Sequence, residues 1–112
     1  FLITLESVGA GSLSPIVREG LRAPRRADRR LVRMLTTIAE DLHIPMDTAI
    51  YNWDECESAS SMRARVRSVS IMGMDDNNLP AFSHTPDDLP DNVDPSQVSA
   101  VVRLVTELIR RS

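Results

Sequence analysis

The stretch Phe1 to Gly11, FLITLESVGAG, decides how the fold is read. Leu2, Ile3, Thr4, Leu5 and Val8 favour extended backbone, and Gly9 and Gly11 supply a turn. An apolar run with so little alternation suits a strand covered on both faces, as in a parallel sheet. Glu6 is the exception inside that run. A carboxylate there is costly to bury unless it is paired or bound to a metal.

Working outward, helix and strand patterns alternate. APRRADRRLVRMLTTIAEDLHIP predicts a helix with Leu31, Leu35, Ile38 and Leu42 on one stripe and Pro45 at its exit. Its arginines at 25, 26, 29, 30 and 33 lie mostly off that stripe and read as a solvated face. His43, near the helix end, reads as a favourable contact with the helix dipole. DTAIYNW predicts a second strand. Asp54 and Glu57 have the spacing of a capping box at the head of a short helix. Tyr51 and Trp53 read as packing residues.

RSVSIMG predicts a third strand ending at Gly73. A long acidic loop follows. Asp94 then serves as N-cap and Pro95 as first helical residue, and Gln97 completes a capping box, with Val93 and Val98 as a hydrophobic staple. Val98, Val101, Val102, Val105, Leu108 and Ile109 are expected to form the buried face of this last helix. The order strand, helix, strand, helix, strand, loop, helix predicts the α/β class with a mixed, mostly parallel sheet and flanking helices. Three strands are few for a sheet covered on both faces. Part of the sheet is therefore expected to lie outside the chain, leaving an exposed edge through which self-association is possible.

Composition narrows the functions. The chain has 112 residues, 42% of them hydrophobic, which suits one small domain with an aliphatic core. Its net charge of −3 argues against nucleic acid as the main partner. No apolar run approaches the about 18–20 residues that span a bilayer. Cys56 is single, so no disulfide forms within the chain. Phosphate-binding glycine loops, CxxC, HExxH and the GxSxG nucleophile elbow are all absent.

The loop FSHTPDDLPDNVD, Phe82 to Asp94, holds the strongest chemistry. His84 follows a predicted strand, where open α/β sheets bind ligands. Glu6 ends another. A carboxylate oxygen and an imidazole nitrogen both suit Zn²⁺ at about 2.0–2.2 Å. Asp88 or Asp87 is placed to accept the other imidazole N–H.

His84, Thr85, Asp88, Asp91, Val93 and Asp94 match the form H-T-x-x-D-x-x-D-x-(I/V)-D. With its flanking strand and helix, this segment resembles the C-terminal end of the co-catalytic zinc aminopeptidase family, the clan MH zinc exopeptidases. That group includes leucyl-type aminopeptidases and, more distantly, glutamate carboxypeptidase and the transferrin receptor ectodomain. LITLESVGAG is similar to the family segment whose strand delivers an acidic ligand before a glycine, and NWDECESA to the one where an aspartate opens a helix.

The resemblance implies two zinc ions about 3.5–4 Å apart with a nucleophilic water between them. Glu6 would be the carboxylate ligand of one zinc and His84 the histidine ligand of the other. Asp88 would support His84, and the substrate would be a peptide. Family members are often secreted or tethered on the outer side of a membrane. The sequence departs from the family in having glutamate where aspartate is commoner, and RARVRSVSI where Gly-Ile-Pro often stands. The other metal ligands and the general base lie upstream in the family. The chain begins at Phe1 inside an apolar run, so it is expected to be a single domain over 1–112 that is the C-terminal portion of a larger peptidase domain, inactive alone. The alternative expectation is a non-catalytic interaction or assembly module that retains the fold.

Overall fold

The computed structural model describes residues 1–52, 58–82 and 85–112. Five strands and three α-helices occur among them: β1 (Leu2–Glu6), β2 (Ser12–Glu19), β3 (Arg25–Arg26), α1 (Arg29–Asp41), β4 (Ala49–Tyr51), α2 (Ser58–Arg63), β5 (Ser68–Met74) and α3 (Pro95–Arg111). The class is α/β, as the alternation predicts.

The sheet is evenly mixed rather than mostly parallel. β1 runs parallel to β5 and β4 parallel to β2, while β2 is antiparallel to both β5 and β3. The correction comes from β2, a strand that the sequence pattern does not announce. Only residues 7–11 separate β1 from β2. So short a link reverses the chain, because a parallel return needs a crossover of a dozen or more residues.

Ile16 pairs with Ala49 on one edge of β2 and with Ser70 on the other. Arg18 and Glu19 pair with both β3 and β4, so β3 lies on the β5 side. β1 and β4 are therefore the outer strands. Pro15 disguises β2, since proline rarely sits inside a sheet. It is tolerated here because the Leu13 carbonyl accepts from Asp47 N–H at 3.0 Å, and Pro15, two residues on, turns the same way. The β4 ladder begins only at Ile16, so the missing N–H breaks no bond there.

Helices α1 and α3 cover one sheet face. Leu31, Leu35 and Ile38 of α1 meet Val101, Leu104 and Leu108 of α3 over Leu13, Val69 and Ile71. The stripe expected on α1 is correct for these three residues, and Leu42 packs at its margin. Arg25 and Arg26, expected inside this helix, form β3 instead. The helix begins after Asp28, whose carboxylate accepts from Leu31 N–H at 2.9 Å. At its other end His43 adopts φ 56°. His43 N–H donates to the Glu40 carbonyl and Ile44 N–H to that of Ala39, a Schellman closure sealed by the buried Ile44 and Ala39.

On α3 the expected face is rotated. Leu104 is fully buried, whereas Val102 and Ile109 are each 59% exposed. Positions 101, 104, 105 and 108 make the contact stripe. On the opposite sheet face Ile16, Ala49, Met72 and Met74 form a second buried patch, packed by Tyr51. Asp54, Glu57, Cys56 and Trp53 lie outside the described residues.

Candidate functional site at the carboxyl ends of β1 and β5

β1 and β5 are parallel neighbours, with Glu6 in register with Met72. Both strands therefore end at the same margin of the sheet. Glu6 is exposed there, on the face of Met72 rather than the face of Ile71 and the helices. No pairing of the outer edge of β1 occurs among the described residues, and Leu5 is 47% exposed.

Backbone bonds gather the two chain exits. Ser7, at φ 52°, turns the chain out of β1, and its carbonyl accepts from Gly73 N–H at 3.1 Å. Gly73 is required in β5. A Cβ there would stand 1.7 Å from the Ala10 carbonyl oxygen. After β5, the Asp75 carboxylate accepts from Asn77 and Leu79 N–H at 2.8 and 3.1 Å. The chain then doubles back, and Ala81 N–H donates to the Gly73 carbonyl at 2.9 Å. Thr85 donates both its N–H and its hydroxyl to the Phe82 carbonyl, at 3.1 and 2.7 Å.

The far end of the acidic loop returns to the same margin. Asp94 caps α3 as expected, accepting from Ser96 N–H at 2.9 Å and the Ser96 hydroxyl at 2.8 Å. These bonds, the hydroxyl first, hold its carboxyl below the usual carboxylate range. The capping box is not closed by Gln97. The Asp94 N–H instead donates to the Gly9 carbonyl at 2.7 Å, and the Gln97 side-chain amide donates to that of Val8 at 2.9 Å. Val93 lies over Gly9, where an added Cβ would come within 2.8 Å of it. Tertiary contact with the β1–β2 turn has replaced the Gln97 half of the capping box, while the Asp94 cap itself stays local.

Among the sequence candidates, Glu6 stands at this margin and Asp88 lies exposed in the loop, its N–H donating to the Thr85 carbonyl at 3.1 Å. His84 lies outside the described residues. Among the described residues there is no group of three or more His, Cys, Asp or Glu side chains able to hold a metal. A zinc centre takes three or four protein ligands. Glu6 is one carboxylate at this margin, and those of Asp75 and Asp94 there accept backbone hydrogen bonds.

One charged residue escapes a reading by motif. Glu19 is 1% exposed, and its carboxylate accepts from the Ser70 hydroxyl at 3.2 Å. The hidden strand around Pro15 left no signal that Glu19 would be buried. A further cavity, of about 640 Å³, opens between the β1–β2 turn, the α1–β4 connection and the start of α3, lined by Leu13, Met46, Asp47 and Gln97 among others. No helix among the described residues is long and apolar enough to cross a membrane. No protein-family model matches the chain, and no curated protein matches it.

Proposed function

We propose that the chain is the C-terminal part of a zinc exopeptidase-like domain. In this reading Glu6 contributes a ligand to one zinc and His84 a ligand to the other, with Asp88 orienting the imidazole. The complete domain would hydrolyse peptides from a chain end, and this chain alone would be inactive. The observation that supports it is the shared carboxyl margin of β1 and β5. Parallel neighbours bring Glu6 and the end of β5 to one side of the sheet, where ligands of open α/β sheets bind, and the segment that holds His84 follows β5 in the chain.

The test begins with the gene, in the frame preceding the Phe1 codon. A histidine, a bridging aspartate and a Glu-Glu pair are expected there. The longer product should hydrolyse leucyl-p-nitroanilide in a zinc-dependent manner. His84→Ala and Glu6→Ala should each lower kcat/KM by about 10–100-fold or more, the scale on which even supporting residues of metal sites act. Undiminished turnover in both variants would remove these residues from the centre.

A second reading has its own observation. The outer edge of β1 is open among the described residues, and Leu2 and Leu5 are 37% and 47% exposed beside it. Such an edge favours strand addition, so the chain would act as an assembly module that keeps the fold without the chemistry. Equilibrium sedimentation should then show dimers that Leu5→Lys dissociates. A clean monomer at high concentration would exclude this reading.

A further inference from the structure

The arginines of the chain are unevenly placed. Residues 18–33 hold seven of its 13 arginines against two acidic residues, Glu19 and Asp28, although the whole chain is negative. Both carboxylates have other work. Asp28 caps α1, and Glu19 is buried with Ser70. Read from the sequence, these arginines form a solvated helix face. Arg25, Arg26, Arg29, Arg30 and Arg33 are indeed exposed, and the fold brings three of them to one concavity.

Arg26 of β3 and Arg29 and Arg33 of α1 line a cleft of about 430 Å³. No ion pair to any of the three occurs among the described residues. Arg29 and Arg33 are one helical turn apart, a spacing at which like charges repel. Arg26 lies directly opposite Arg18 across the strand pair, where like charges are also unfavourable. The Nε of Arg18 is buried and has no hydrogen-bond partner. Three guanidinium groups thus line one cleft, and none of them has an ion-pair partner among the described residues. The rest of the cleft is of two kinds. Thr36 and Thr48 add hydroxyls, and Val17, Ala27 and Val32 form an apolar wall.

We propose that this cleft binds a small organophosphate dianion, a phosphate monoester in chemical class. Guanidinium groups match phosphate oxygens through paired N–H donors, and they stay charged at every physiological pH. The apolar wall gives the carbon portion of the ester a surface to cover. A long nucleic acid fits less well, because no aromatic side chain lines the cleft among the described residues to stack on bases. The inference stands independently of the peptidase reading.

The test is calorimetric titration of the full chain with phenyl phosphate at constant ionic strength. Saturable one-to-one binding is expected at pH 7.5. It should weaken at pH 5, where the monoester, with a second pKa of about 6, has become a monoanion. Arg26→Gln and Arg29→Gln should each weaken binding about tenfold, the scale of one charge-assisted contact. Arg103→Gln with Arg110→Gln, which removes two charges from α3, should leave it unchanged. The Arg26, Arg29 and Arg33 side-chain NMR signals of the unsubstituted protein should shift on titration, which requires no variant to fold. Non-saturable heat, equal loss in the α3 variant, or binding of oligothymidylate without phenyl phosphate would each overturn the proposal.

Discussion

The backbone N–H of Asp94 donates to the carbonyl of Gly9 at 2.7 Å, joining residues that lie 85 positions apart. Gln97 adds a second bond to Val8, and Val93 covers Gly9. The start of α3 is thereby tied to the turn that follows Glu6. Gln97→Ala should cost about 1 kcal/mol, the net contribution of one hydrogen bond. Urea unfolding should show it as a lower midpoint at unchanged slope.

Gly73 tolerates no side chain. A Cβ would meet the Ala10 and Ser7 carbonyl oxygens at 1.7 and 2.6 Å, both of them backbone atoms that cannot rotate away. Gly73→Ala should destabilise the fold by about 3 kcal/mol, the upper range for overpacking. Circular dichroism melting would register the loss, and a native Tm would mean that the turn is looser than described.

The two faces of α3 should answer differently to truncation. Leu104 is fully buried, so Leu104→Ala should cost about 2–5 kcal/mol. Val102 is 59% exposed, and Val102→Ala should stay within about 0.5 kcal/mol of neutral. Equal losses in chemical denaturation would show that Val102 too is covered.

His43 closes α1 with φ 56°. Glycine adopts that conformation without the penalty a β-carbon brings, and a branched residue suffers most. His43→Gly should raise stability by about 0.5 kcal/mol, and His43→Val should lower it by at least as much. Thermal unfolding of the two variants should order them on either side of the parent.

The Asp94 carboxyl is held below its ordinary value of 3.8 by the Ser96 hydroxyl and N–H. A depressed carboxyl contributes stability that is fully present above the unfolded value. That contribution is lost as pH falls through the folded value, so the window lies below pH 3.8. Ser96→Ala should move the Asp94 titration upward, as followed by its side-chain carbon NMR shift.

Much of the architecture was legible in the residues themselves. Leu31, Leu35 and Ile38 announce α1 by spacing, and Asp94-Pro95 announces the start of α3, because helix period and capping are local properties. Leu2–Glu6, Ala49–Tyr51 and Ser68–Met74 follow from apolar and β-branched runs in the same way. Glu6 at a strand end was equally readable.

The tertiary structure alone decided the rest. Pro15 hides β2 from any local pattern, yet the direction in which Leu13 and Pro15 turn makes it a strand. That strand makes the sheet evenly mixed, buries Glu19 and draws Arg25 and Arg26 into a hairpin instead of a helix. The buried face of α3 passes through Leu104 because α1 and the sheet determine which side of the helix finds cover. Local periodicity encodes that an element exists. Which edge, face or turn it meets depends on contacts between residues far apart in the chain, and these contacts place Glu6, the acidic loop and the arginine cleft.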